Sequence, residues 1–239
     1  MPGLGTIINT VAIIIGGLIG LFFKDRIKMD QDNALSKACG VSTIFIGIAG
    51  AMQYMLTIEE NGINSGQAMF VVVCLALGTV VGEFIGIEES FERFAAYLRN
   101  KSGNEKDANF IEAFLSTSFT VCIGAMAIIG AIQDGILSDY STLAVKSVLD
   151  FIIAIVMSAS MGKGAIFSAI PVFILEGSVT LLSKFIEPIM STMAIANLSL
   201  IGSILIFCVG INLVFGKKLK VANMLPAIIF AVISAYLPF

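Results

Sequence analysis

Eight apolar runs, each close to the length of a membrane crossing, leave this chain few ways to fold. They lie near 5–23, 38–57, 67–87, 110–132, 143–160, 164–184, 197–215 and 221–238. A helix rising about 1.5 Å per residue needs roughly 20 apolar residues to cross a hydrocarbon layer about 30 Å thick. Backbone N–H and C=O groups find no water there, so each run has to pair them internally, as a helix. The expected fold is all-α: a polytopic membrane helix bundle of about eight transmembrane helices, a single integral membrane domain over residues 1–239. The charge content agrees, at 13 % against about 25 % in soluble domains. Two segments fit less well: 143–160 is short, and FIEPIMSTMAIA over 185–196 is broken by Pro188, as an interfacial or re-entrant piece would be. No basic residue precedes the first run and no cleavage box follows it, so it reads as a span and not a removable signal.

The basic residues sort by side. With eight alternating spans, one face receives Lys24, Arg26, Lys28, Lys37, Arg93, Arg99, Lys101, Lys106, Lys163, Lys217, Lys218 and Lys220. The other face and its adjoining segments receive only Lys146 and Lys184. The positive-inside rule makes the first face cytoplasmic and puts both termini outside. Between spans three and four, Ile87, Phe91, Phe94 and Leu98 recur at helical spacing with charge opposite, which predicts an amphipathic surface helix over 87–99 followed by a polar linker at 100–109. Short echoes point to internal repeats. LGTII at 4–8 returns as LGTVV at 77–81, and GVSTIF at 40–45 resembles GSILIF at 202–207.

Polar groups beside bilayer-length runs need a reason, because a carboxylate within a span costs ~2.5–3.5 kcal/mol or more. Lys146 and Asp150 share a helix face at i, i+4. They read as an ion pair that locks packing, or as a switch released by a cation or proton. Asp134, in Gln133-Asp134-Gly135, reads as a turn at the end of span four, or as a break that offers a carboxylate and free carbonyls to an ion. Glu176 is the deepest acid, and Pro171 upstream is expected to kink its helix and free a carbonyl near it. Glu83 follows Gly82 near the cytoplasmic end of span three, where Arg93 or a Lys could pair with it. Asn9, Asn212 and Asn223 are amides inside spans, and Asn223 also suits a helix start. Gly16-x3-Gly20, Gly78-x3-Gly82 and Gly82-x3-Gly86 let helices approach closely. They read first as packing within the bundle, making spans one and three a tight scaffold. The same faces also offer a subunit interface, so a homo-oligomer through these glycine-rich faces is expected.

The absences narrow the chemistry. The chain has no His, which rules out a Ser-His hydrolase and a His-based zinc site. It also lacks HExxH, GxGD and P-loop patterns, so no enzyme and no cofactor is expected. Its four Cys (Cys39, Cys74, Cys122, Cys208) show no CxxC spacing and read as free thiols. The expected partners are the lipid bilayer and a small solute or ion, with no nucleic acid.

GTIINT at 5–10, LGTVVGE at 77–83, IGAIQDG at 129–135, LAVKSVLD at 143–150 and VANMLPA at 221–227 resemble a family of bacterial inner-membrane proteins, domain of unknown function 554. The similarity runs from residue 3 to about 235, and IQDG…KS.LD is its most specific part. The resemblance implies a multi-pass protein of the bacterial cytoplasmic membrane, often described as a transporter. Its polar positions fall on Asn9, Glu83, Gln133, Asp134, Lys146, Asp150 and Asn223. Relatives can carry Gln at the position of Glu176, which favours Asp134 and Asp150 as the charged ligands. The expected function is a secondary transporter of a small solute, cation- or proton/sodium-coupled. An oligomeric ion channel and a non-transporting scaffold or sensor are the alternatives.

Overall fold

The computed structural model describes residues 2–24, 29–59, 62–105, 107–123 and 125–236. Arg26, Lys28, Glu60, Lys106 and Gly124 lie outside the described residues. The chain is a helix bundle: α1 Leu4–Lys24, α2 Met29–Met55, α3 Ala68–Ile85, α4 Ile87–Lys101, α5 Phe110–Cys122, α6 Ala125–Leu137, α7 Ser141–Met161, α8 Ala169–Leu181, α9 Ser183–Ile186, α10 Thr192–Phe215, α11 Val221–Met224 and α12 Pro226–Ser234. Short 3-10 turns at Lys163–Ser168 and Glu187–Ile189 flank α8 and α9. Strands β1 Leu56–Glu59 and β2 Gly62–Ser65 pair antiparallel in the loop after α2, an element the sequence reading did not anticipate.

Among the described residues, five helical stretches are long and apolar enough to cross a membrane: α1, α3, α7, Lys163–Leu181 and α10. The bent pair α5–α6 makes a sixth, and Gly40–Met55 and Val221–Ser234 are shorter apolar helices. Each of the eight expected runs thus returns as a helical segment, and among the described residues five of these, or six with the bent pair, are long enough to cross a membrane.

Close helix approaches fix how these segments run. Gly5 meets Leu143 and Gly20 meets Ile155 and Ser158, so α1 and α7 lie parallel. Gly40 meets Leu213 and Val214, and Gly50 meets Ser203, so α2 and α10 lie antiparallel. Gly78 packs on Ala227 and Gly82 on Asn223, which sets α3 against α11–α12. A β-carbon at Gly20 would overlap the Ile155 carbonyl, and one at Gly82 the Asn223 carbonyl. The glycine faces expected to join copies of the chain are therefore filled inside one chain. The start of α1 and the end of α12 lie at one face of the bundle, here the chain-end face, opposite the face of Lys24, Lys163 and Lys217.

Helix α4 forms where the amphipathic pattern places it, but its apolar side covers protein. Phe91 stacks edge-on against Phe119 at 5.5 Å between centroids and Phe94 against Phe114 at 6.0 Å. Segment 185–196 lies as α9, a 3-10 turn and the start of α10 across the chain-end face, tied by a 2.6 Å bond from the Tyr236 hydroxyl to the Ile189 carbonyl.

Two local expectations are corrected. Gln133-Asp134-Gly135 is neither a turn nor a break, because α6 continues through it to Leu137. Gly135 serves close packing: a β-carbon there would overlap Ser183 Oγ. The turn comes later, at Ser138, whose φ is 55°. The interruption lies ten residues upstream. There α5 ends at Cys122, Ile123 is extended (φ −84°, ψ 111°), and the two helices bend by 61°. Pro171 sits in the first turn of α8, where its missing N–H breaks no helical bond, so it frees no carbonyl beside Glu176.

Candidate ion-binding centre

Four buried polar side chains from three helices meet in the bundle interior. Helix α1 presents Asn9, α7 presents Lys146 and Asp150, and α8 presents Glu176; none is more than 6 % exposed. The Asn9 amide nitrogen donates to Asp150 Oδ2 at 2.9 Å and to Glu176 Oε1 at 2.8 Å. With acceptors on both sides, only this amide orientation satisfies the pair. Lys146 Nζ donates to Asp150 Oδ2 one helical turn away and lies 3.5 Å from Glu176 Oε1.

The third partner of Lys146 comes from the backbone. Its ammonium donates to the Val121 carbonyl at 2.8 Å. Carbonyls in the last turn of a helix have no intrahelical partner, and α5 ends one residue after Val121. The α5–α6 interruption therefore delivers a carbonyl to the centre, a role the sequence reading had given to Asp134 and Pro171. No side-chain signal marks Val121, since every residue carries a carbonyl.

One ammonium faces two carboxylates. With both acids ionised, the centre carries one net negative charge in a low-dielectric setting, where an uncompensated charge is costly. A proton or a small cation restores neutrality. Two acceptor oxygens at the centre, Asn9 Oδ1 and Glu176 Oε2, are buried without a partner. Neutral and carboxylate oxygens are what hard cations bind.

Asp134 is fully buried but stands one layer away, toward the chain-end face. Its Oδ2 accepts from the Gly5 N–H at 2.9 Å, which caps the start of α1 from a neighbouring helix. Its Oδ1 has no partner. Between this layer and the centre, the Thr6 and Thr180 hydroxyls lie 3.5 Å apart. Thr180 sits at i+4 from Glu176 and Thr6 at i−3 from Asn9, so helical spacing from the expected residues could have found both. Gln133 is turned aside, its Oε1 accepting from the Thr142 hydroxyl at 2.6 Å.

Glu83 and Asn223 belong to a different place, at the basic face. The Asn223 oxygen accepts from the Glu88 N–H at 2.7 Å, and Glu88 Oε2 accepts from the Ala222 N–H at 3.0 Å. This reciprocal pair docks α4 on α11. Lys217 bridges Glu88 at 2.9 Å and contacts Glu92. Burial works against its charge, but hydrogen bonds to Glu92 and Glu88 outweigh that and raise its pKa. Lys220 pairs with Glu83 at 3.1 Å, a hydrogen bond that raises the lysine pKa. The sequence reading missed Glu88, which looks like one more charge on an amphipathic helix.

The family described as protein of unknown function (DUF554) matches residues 4–236. The chain is 31 % identical over 225 residues to the uncharacterized membrane protein YdfK of Bacillus subtilis (strain 168), covering 94 % of this chain and 92 % of that protein. It is 25 % identical over 232 residues to the uncharacterized protein YqgA of Escherichia coli (strain K12), covering 95 % and 94 % of the two. No solved structure matches.

Proposed function

The chain belongs to the DUF554 family of membrane proteins, and we propose that it is a secondary transporter of a small solute, coupled to a proton or a hard cation such as sodium. The charge imbalance at the centre carries this reading: one lysine between two carboxylates, with Asn9 Oδ1 and Glu176 Oε2 unpartnered. Intramembrane ionisable groups that face the bundle interior mark ion and substrate paths, and helix interruptions at transporter sites present backbone oxygens there. In this scheme Asp150 and Glu176 receive the cation or proton. Asn9 holds the two carboxylates together, and Lys146 is the resident counter-charge, displaced from the carboxylates and from the Val121 carbonyl when the ion binds. Asp134 is an outlying acceptor on the same path.

A carrier suits the centre better than an open channel. The next layer toward the basic face is a set of apolar side chains, Ile13, Val121, Ala154, Ala169 and Val172, all buried. The positive-inside rule assigns the basic face to the cytoplasm of a bacterium and the two chain ends to the outside. Self-association would have to use a surface other than the glycine faces, such as the exposed side of α3 around Val80 and Phe84.

The test is flux in liposomes under imposed proton and sodium gradients, beside melting curves of purified protein with a panel of ions, amino acids and organic acids. Gradient-driven, saturable uptake that disappears in Asp150→Asn and Glu176→Gln is expected. Absence of any gradient-coupled flux, together with no ligand that raises the melting temperature of the wild type, would overturn the proposal.

A further inference from the structure

The centre is not placed symmetrically between the two faces. On the side of the chain ends, polar groups continue outward from it along α1, α6 and α8. Glu176 and Asn9 give way to Thr180 and Thr6, and these to Asp134 and the Gly5 N–H. Half-buried Gln133 and Thr142 stand at the rim. Beyond them Asp139, outside the helices, accepts from the Ser141 N–H, which holds its carboxyl below the usual range and keeps it charged.

Packing is looser at Gly177 than at the glycines around it. A β-carbon at Gly177, beside Glu176, would meet nothing nearer than Thr6 Cγ2 at 3.9 Å. At Gly5, Gly16, Gly20 and Gly135 the same atom would overlap a neighbour. Asp134 Oδ1, fully buried, has no partner.

On the other side the character reverses within one turn. Ile13 is one turn below Asn9, Ala154 one turn below Asp150 and Val172 one turn below Glu176. All three are completely buried, and Val121 closes against them at 2 % exposure. An apolar layer of that depth, about 5 Å, excludes ions, as hydrophobic constrictions do in channels.

We propose that Asp134, Thr6 and Thr180 form the route by which a cation or proton reaches the centre from the chain-end face, and that Ile13, Val121, Ala154 and Val172 are the closed gate on the basic face. This deepens the transport reading and rests on it. Gly177 keeps the route open by lacking a side chain. Because α5 ends beside the gate, with Val121 contributing both its side chain to the apolar layer and its carbonyl to Lys146, release of Lys146 from that carbonyl loosens the gate. Occupancy of the centre and opening toward the basic face are thereby coupled.

The experiment uses the full chain in sealed vesicles, with Cys39, Cys74, Cys122 and Cys208 replaced by Ser, and one cysteine introduced as Thr180→Cys or Val172→Cys. The probe is a small membrane-impermeant cationic methanethiosulfonate, added to one side at a time. Thr180→Cys is expected to react about tenfold or more faster from the chain-end face than from the basic face, since the apolar layer opposes passage of a cation. Val172→Cys is expected to resist the reagent from both faces, and Gly177→Val added to Thr180→Cys is expected to slow its modification. Equal labelling of Thr180→Cys from the two faces overturns the proposal, as does Val172→Cys reacting from the basic face as fast as Thr180→Cys from the other. Should loss of all four thiols unfold the chain, retaining buried Cys74 and Cys208 keeps the same readout. Labelling reads access whether or not an ion is carried, so one-sided labelling without flux would retire the transport reading while leaving the route and gate in place.

Discussion

Two lysine–carboxylate clusters sit in this bundle, and they differ in nearly everything except composition. At the centre, Lys146, Asp150 and Glu176 are buried, with an amide and a helix-end carbonyl completing their shell. At the basic face, Lys217 joins Glu88 and Glu92 while Lys220 joins Glu83, with both lysine side chains nearly half exposed. Water shares the work at the second cluster, and most exposed pairs contribute little there. At the first it does not, so removing one member leaves a charge that nothing else can accept. Identical groups thus become a stability liability in one place and a solvated tether in the other. The exception at the basic face is Glu88, which is buried and accepts the Ala222 N–H, so it belongs energetically with the interior.

The sharpest way to break the comparison is to remove Lys146. Lys146→Met strands two carboxylates together and should lower stability by about 3–5 kcal/mol, read from unfolding in mild detergent. Lys146→Met with Asp150→Asn should recover much of that loss, because the charge count is mended even though the pair is gone. If the double variant is as unstable as the single one, packing and not charge governs the centre.

Glu88→Ala comes next. It leaves the Ala222 N–H unpaired and unties α4 from α11, for a loss of about 1–3 kcal/mol, with protease sensitivity rising first in α4. An unchanged digestion pattern would show that the Phe91–Phe119 and Phe94–Phe114 contacts hold α4 unaided.

A smaller effect should follow pH. The Lys217 pKa is raised in the folded protein, where Glu92 and Glu88 outweigh burial. Its contribution is therefore complete below the ordinary lysine pKa and lost as pH rises through the higher folded value. The wild type should lose stability at the alkaline edge, and Lys217→Met, lower at neutral pH, should lack that component. Parallel alkaline slopes for the two proteins would remove Lys217 from the explanation. The smallest change belongs to Glu83→Gln, whose pair with Lys220 lies in water. Its melting temperature should match the wild type in high salt, where exposed pairs are screened, and a clear drop there would mean that the pair is better shielded than its exposure implies.

Much of the bundle was legible because the bilayer accepts few answers. Apolar length placed all eight helical segments, and the Lys146–Asp150 spacing announced a shared face before any tertiary contact was known. Asn9 also stood out, since an amide in a span needs a partner. Glu176 was visible but undervalued, because the family resemblance implied that Gln could stand there; the geometry puts it at the centre beside Asn9. The break was misplaced for a physical reason. Gln133-Asp134-Gly135 carries the residue types of a turn, yet Gly135 is there to let α6 touch Ser183. The actual interruption, after Cys122, falls in an apolar stretch whose side chains say nothing about backbone hydrogen bonds.

The sequence by itself determined that the chain is a membrane helix bundle, that its basic residues gather at one face, and that Lys146 and Asp150 share a helix. Those features depend on hydrophobicity and on spacing along a single helix, which are local properties. Only the tertiary structure decided that Glu176 and not Asp134 completes the charged centre, that a carbonyl from α5 holds Lys146, and that the glycine stripes pack within one chain. Each of these depends on which helices face one another. In lipid, where every helix exterior is apolar, that choice is made by close backbone approach and by the pairing of a few buried polar groups.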